Sequence, residues 1–403
     1  MISFNVYTDE IDFLEESMEE IKQQFEGKVK EIGGLRKNTA AIIFADCDTD
    51  IQELMERLTE IYDFPMISSS VLGSFDNDHG YVDTGISMLV LTTDDIEFGI
   101  AISEEIGEND IDEKVKCAYD KAKAQLSEKP ALIISYGVML ASYTGDDIVA
   151  AIDKASGGVP LYGGQASDDF AFTKAFVAAN GTSRKQGVAM LVMAGEGLKN
   201  VYAAYEFSII DGGVFEGVVT KCSGNTISEV DGVSFLESLE KLRIVNGQEG
   251  VVQMQYITSP FLFTETKENG DEVYTLRNLT VINRKEGTVS FLGKIKEGSK
   301  ISMVVTNRDT VALSMRNAFN RLITKMQKEN REWSTFLCTS CMARYLNLGV
   351  GKDEEVKGYQ GKLGENTAIL GMYSSGEYYP QNFQKEEEVY NVFFNETITI
   401  LVL

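Results

Sequence analysis

One segment pattern occurs three times along this chain, and that repetition limits what it can fold into more than any other feature. In the first copy, the apolar run Ala40 to Ala45 predicts a buried strand. Thr49 and Gln52 form an expected capping box. Ile51, Leu54, Met55, Leu58 and Ile61 follow at helical spacing. Then come the small residues of Pro65-Met-Ile-Ser-Ser-Ser70 and a closing strand, Gly85 to Thr92.

The second copy repeats this order. Ala131 to Ser135 reads as a strand, Asp146 to Ala155 as a helix, Val159 to Asp169 as the small-residue run and Gly187 to Met193 as the closing strand. In the third copy the same parts are Ser334 to Cys338, Asp353 to Leu363, Ile369 to Glu377 and Asn395 to Leu403. Amphipathic helices near Asp9 to Phe25, Ile111 to Leu126 and Asp309 to Met326 precede the three copies. The expected unit is therefore helix, strand, helix, small-residue loop and strand pair. Overlaying the second and third runs puts Gly163 on Gly371, Ser167 on Ser375 and Asp169 on Glu377. The first copy offers Ser68 and Ser74 there and lacks the acid.

Between Ile210 and Ile301 the pattern changes. Alternating runs, Val251 to Ile257, Tyr274 to Ile282 and Thr288 to Leu292, are separated by Asn269-Gly270, Glu286-Gly287 and Glu297-Gly298. They read as antiparallel sheet. The expected fold class is α+β (mixed α/β), with helices packed on large sheets. Two domains are expected: 1–198 with two repeats, and 199–403 with the β-rich segment and the third.

Charge narrows the function. With 62 acidic and 37 basic residues the net charge is −25, which disfavours nucleic acid and anionic membrane as partners. No signal peptide is visible, and no apolar run is long enough to insert into a membrane. Five scattered cysteines suggest a reducing compartment, so a cytoplasmic location is expected.

Support for catalysis is thin. His79, the one histidine, sits in a turn rich in Asn, Asp and Gly. No phosphate-binding loop is present, and no cofactor or metal is expected. Cys338-Thr-Ser-Cys341 has redox spacing, but its first cysteine, Cys338, ends an apolar strand instead of opening a helix. Asp168 and Asp169 fit a solvated turn or cap; Glu377 ends a Gly/Ser run whose backbone N–H groups are expected to face a ligand. Arg344, just past Cys341, supplies a planar fork for a carboxylate. An arginine and an acid facing one cavity suit a zwitterion such as an amino acid. Tyr136, after a buried strand, and Tyr373, inside the Gly/Ser run, are the aromatic pocket candidates.

Pro160 to Asp169 with Gly187 to Met193 resembles the second half of a FIST N-domain. Ser340-Cys-Met-Ala-Arg344, Gly371 to Glu377 and Phe394 to Val402 resemble the end of a FIST C-domain, and Leu276-Arg-Asn-Leu279 its central strand. The resemblance implies a sensory module of microbial signal transduction that binds a small ligand, amino acids among them. The chain departs from the family at Ser68-Ser69, in place of Gly-Cys, and at Gly73-Ser74, in place of Gly-Glu. The site is therefore expected in the second and third repeats: Tyr136, Gly163, Gly164, Ser167, Asp168, Asp169, Arg277, Cys341, Arg344, Tyr373, Ser375, Gly376 and Glu377. The chain ends on its closing strand, so the signal is expected to pass to a signalling protein in trans. Two alternatives stand beside this one: a hydrolase using Cys341 or Glu377, and an acidic scaffold.

Overall fold

The structure is a computed structural model describing residues 1–140, 142–245, 251–253, 260–330, 333–364, 367–382 and 389–403. Repeat one runs β1 (Ile2–Thr8), α1 (Leu14–Glu31), β2 (Asn38–Asp46), α2 (Ile51–Ile61), β3 (Met66–Val71), β4 (Ser74–Asp76), β5 (Gly80–Val82) and β6 (Ile86–Thr93). Repeat two has the same order: β7 (Glu97–Ile102), α3 (Ile111–Lys123), β8 (Leu132–Gly137), α4 (Gly145–Ser156), β9 (Leu161–Gln165), β10 (Val177–Ala179), β11 (Thr182–Arg184) and β12 (Val188–Ala194). Repeat three opens with β13 (Tyr202–Phe207).

A β-rich insertion follows β13: β14 (Ile210–Ser223), β15 (Thr226–Val230), β16 (Val233–Ser234), α5 (Phe235–Lys241), β17 (Val251–Gln253), β18 (Pro260–Thr266), β19 (Glu272–Asn283), β20 (Thr288–Phe291) and β21 (Lys300–Val305). Its antiparallel order β14-β21-β18-β19-β20-β15 closes because β15 also pairs with β14, giving a six-stranded barrel. Phe235, Leu236 and Leu239 of α5 pack with Phe261, Phe291 and Leu279 in its core. Residues 254–257 of the strand expected from Val251 lie outside the described residues.

Repeat three then resumes with α6 (Arg308–Glu329), β22 (Thr335–Cys341), α7 (Met342–Leu348), α8 (Asp353–Tyr359), β23 (Ala368–Ser374), β24 (Glu377–Gln381), β25 (Tyr390–Phe394) and β26 (Thr397–Val402). The observed boundaries differ locally from the expected ones. α1 begins at Leu14, not Asp9, because Glu10 Oε1 accepts the Asp12 and Phe13 N–H groups in a preceding turn. The cap of α2 is Asp50, which accepts from Glu53 N at 3.2 Å, and not Thr49; Gln52 instead reaches across to Gly181 and Ser183.

Each repeat builds a six-stranded sheet, but none builds it alone. The orders are β1-β6-β2-β3-β10-β11, β7-β12-β8-β9-β24-β25 and β13-β26-β22-β23-β4-β5. Every repeat thus lends its hairpin to another. Val177 of repeat two pairs with Ser69 of repeat one, Glu377 of repeat three with Gly164 of repeat two, and Ser74 of repeat one with Met372 of repeat three. The exchange is cyclic. The small-residue runs expected as loops are the strands β3, β9 and β23, which run parallel to β2, β8 and β22 respectively.

Alternation along these strands separates two kinds of core. Ile42 and Phe44, Ile134 and Tyr136, and Leu337 and Leu370 point into one core shared by all three sheets. Ala41 and Ile43 face α1 and α2; Ile133 and Leu161 face α3 and α4; Phe336 and Cys338 face α6 and α8. The registers make Ser70, Gln165 and Tyr373 equivalent, and likewise Leu72, Ser167 and Ser375. Around this centre Ser167 N donates to Ser70 O at 3.1 Å and Ser375 N to Gln165 O at 3.0 Å. The third link passes through a side chain: Leu72 N donates to Ser167 Oγ at 2.8 Å, and that hydroxyl donates to Tyr373 O at 2.5 Å.

Candidate functional site

The expected residues separate into those that hold the fold and those that meet at one place. Gly163 has φ +133° and a Cβ there would lie 2.0 Å from Ser135 O; at Gly376, φ +154°, it would lie 2.2 Å from the Phe393 ring. At Gly164 a Cβ would lie 2.7 Å from Gly376 O, less tight but still closer than a real Cβ comes. These glycines let strands approach. In the same runs the N–H groups of Gln165, Tyr373 and Ser375 are not open to a ligand as expected, because Gln165 N donates to Gly376 O, Ser375 N to Gln165 O and Tyr373 N to Gly73 O. Ser167 is the central link described above.

Asp168 is buried and accepts from the N–H groups of Phe172, Thr173 and Lys174 at 2.9–3.0 Å, so it organises the loop before β10. Asp169 is exposed and pairs with Lys174 at 3.1 Å. The overlay of Asp169 on Glu377 therefore fails: the extra loop in repeat two carries its acid to the surface, whereas Glu377 opens β24 inside the protein. Tyr136 packs edge-on against Phe44 in the shared core. Tyr373 points outward among Phe75, Tyr81 and Tyr345.

Arg344 does not await a ligand carboxylate, because the protein supplies one. Its Nε donates to Ser340 Oγ and Glu355 Oε1, each at 3.0 Å. Nη2 also binds Glu355, and Nη1 binds Ser314 at 2.8 Å and Ser208. Arg277 is likewise engaged: Nη2 pairs with Asp146 at 2.7 Å and Nη1 donates to Phe393 O at 2.6 Å. Cys338 and Cys341 are both buried and unbonded; three positions apart on β22, they point to opposite faces and cannot close a disulfide.

Glu377, Cys341 and Glu396, the last missed in the sequence reading, act on one another above β22 and β23, and Asn395, also missed, precedes Glu396 in the same turn. Glu377 Oε1 accepts from Ser374 Oγ at 2.8 Å, while Oε2 has no partner. Glu396, in the turn between β25 and β26 with φ +54°, accepts on Oε1 from Asn347 Nδ2 at 3.2 Å, and its Oε2 is also unpartnered. Both amide atoms of the adjacent Asn395 lack partners. All three side chains are fully buried. The two carboxyls and the Cys341 thiol act on one another electrostatically.

Burial therefore pushes Glu377 well above the carboxylate range, against the pull of Ser374, Arg344 and Cys341. Burial likewise pushes Glu396 up to about 8, against Arg344 and Asn347. The Cys341 thiol rises well above the usual thiol range through burial first and then through Glu377 and Glu396. This is the reverse of what activates a nucleophilic cysteine. The sequence signal for the missed pair was Asn395-Glu396, two polar residues between Phe393-Phe394 and the apolar end of β26.

A cleft of about 1040 Å³ lies elsewhere, lined by Ser3, Asn5, Asn77, Trp333 and Leu403, and it touches none of these residues. Asn5 and Asn77 pair there with each other and with Ile369. Buried polar atoms without partners mark a place for water or ligand. The cluster at Glu377, Glu396 and Asn395 holds four of them and the cleft one, Asn5 Oδ1.

Comparison with known protein families identifies the chain's family. The FIST N domain matches residues 39–233 and the FIST C domain residues 237–380. The chain belongs to the FIST family. FIST domains are associated with sensory signal transduction and small-ligand binding. In this FIST protein the C-domain match spans Arg277, Arg344 and Glu377, while Asn395 and Glu396 lie beyond it. No curated protein matches the chain. Among solved structures, cyanuric acid hydrolase from A. caulinodans is 8% identical, with a TM-score of 0.30 over 50% of this chain and 70% of that one. A chorismatase is 8% identical, with a TM-score of 0.34 over 91% and 94%. Similarity at that level carries no argument here. Among the described residues no helix is long and apolar enough to cross a membrane.

Proposed function

We propose that this FIST protein is a sensor that binds a small amino-group-bearing ligand, an amino acid or a relative of one, without transforming it. The observation that carries the reading is the set of fully buried, unpartnered polar atoms on Glu377, Glu396 and Asn395. Leaving such groups unmade in a dry interior costs about 1–3 kcal/mol each. A ligand with several donors relieves that cost, and an ammonium group relieves most of it. The elevated thiol of Cys341 supports sensing over thiol hydrolysis. The signal is then read by a partner protein in trans.

The test is thermal unfolding against a panel of amino acids, small carboxylates and nucleotides. A bound ligand at about a hundred times its Kd adds about 2.7 kcal/mol. At roughly 2–4 °C per kcal/mol this is a clear rise in Tm. The rise is expected with amino compounds and is expected to vanish in Glu377→Gln. A rise with nucleotides alone, or one untouched by Glu377→Gln, moves the site away from this cluster.

A further inference from the structure

The buried charges around the cluster do not balance, and the imbalance says more about the ligand. Glu355, Glu377 and Glu396 stand against one guanidinium, Arg344, and all four side chains are fully buried. Arg344 spends its fork on Glu355. Arg277, which the Glu377 charge also reaches, spends its own on Asp146 and the Phe393 carbonyl. Glu377 and Glu396 are left with a neutral donor each, Ser374 Oγ and Asn347 Nδ2. The Cys341 thiol is the third titratable group facing them.

Two carboxyls so placed cannot both stay charged without a cation between them; they hold protons. We infer that the ligand's recognised group is a compact amine cation seated between Glu377 and Glu396, and that it binds in exchange for protons, so that a carboxylate on the ligand is not required. The exchange changes no covalent bond of the ligand. The proton leaves a glutamic acid oxygen for the buffer, and the ammonium takes over the charge it leaves behind. A divalent metal fits less well. Among the described residues the one trio of His, Cys, Asp or Glu side chains with donor atoms within 4.8 Å of each other is Asp46, Cys47 and Asp48, outside this cluster. The inference rests on the ligand-site reading above, and it alters what the site should prefer.

The experiment is calorimetric titration of the full chain with two matched pairs, butylamine with norvaline and diaminobutane with ornithine, each pair differing only by a carboxylate. Each titration is run in two buffers of different ionisation enthalpy. The expected result is that the amine binds at least as tightly as its amino acid and releases about one proton. Its affinity then increases about tenfold for each unit by which the pH is raised, up to the titration of Glu396. Glu396→Gln, which mimics the protonated acid and is expected to unfold at or above the wild-type temperature, removes both binding and release. Binding of the amino acids alone, lost in Glu377→Gln, overturns the amine inference and leaves the site reading standing. Amine binding without proton release also overturns the inference, as does stabilisation by calcium or magnesium alone that Glu396→Gln abolishes. No binding by either member of either pair overturns both.

Discussion

The Arg344 guanidinium and the Glu355 carboxylate form an ion pair with neither side chain exposed to solvent. Ser340, Ser208 and Ser314 complete the guanidinium's bonding. Removing one partner leaves the other charge uncompensated, which costs about 3–5 kcal/mol. Arg344→Met is therefore expected to lower Tm by roughly 10 °C whatever ligand is present. The double substitution with Glu355→Met should recover much of the loss. Thermal melts of the three variants check this; a single variant as stable as wild type rules out the pair's structural role.

Glu396 gives a pH dependence with a definite sign. Burial raises its folded-state pKa to about 8, so between the ordinary carboxylate range and that value the folded state holds more protons than the unfolded one. Stability from this group is complete at acid pH and is lost as pH rises towards 8. Glu377, raised by burial, acts in the same direction. Melts of Glu396→Gln and wild type should diverge as pH rises from the ordinary carboxylate range to about 8, with the variant the more stable at the upper end.

Ser167 joins the three repeats at their centre through its hydroxyl. Ser167→Ala leaves the part-buried Leu72 N–H and the buried Tyr373 carbonyl without this partner, at about 1–3 kcal/mol each. Urea unfolding should show the lowered midpoint with an unchanged slope.

Gly163 separates packing from ligand approach. An added methyl would lie 2.0 Å from Ser135 O at φ +133°, so Gly163→Ala should cost at least about 3 kcal/mol. Gly157 has φ +73° with nothing within 4 Å, and Gly157→Ala should cost only about 1 kcal/mol. Comparing the two soluble yields and melts checks the difference.

The cysteines offer a reactivity test. Cys117 is exposed, whereas Cys338 and Cys341 are buried with thiols held protonated. Thiol titration of the native protein should label Cys117 first and leave Cys338 and Cys341 until unfolding. Rapid labelling of Cys341 would restore the thiol-enzyme reading.

The repeated unit was legible because strand and helix periodicities are local, and each copy buries its own outer face under its own helices. The hairpin exchange was not legible. Nothing within Ser74-Phe75-Asp76 says that its partner is Leu370 to Met372, nearly three hundred positions away. The same blindness hid what surrounds the candidate residues. Arg344 reads as a free fork until α8 brings Glu355 against it, and Asp169 matches Glu377 in sequence until the loop before β10 turns it out. Glu396 was hidden inside the closing strand expected from Asn395, which in fact begins two residues later, at Thr397.

The most direct measurement is a crystal structure of the protein at a resolution that shows ordered water. The account predicts density for water or a bound small molecule within hydrogen-bond distance of Glu377 Oε2, Glu396 Oε2 and the Asn395 amide. A dry interior in which these atoms bond to one another or to the surrounding protein would contradict it, because no unmet polar group would then be left for a ligand to satisfy.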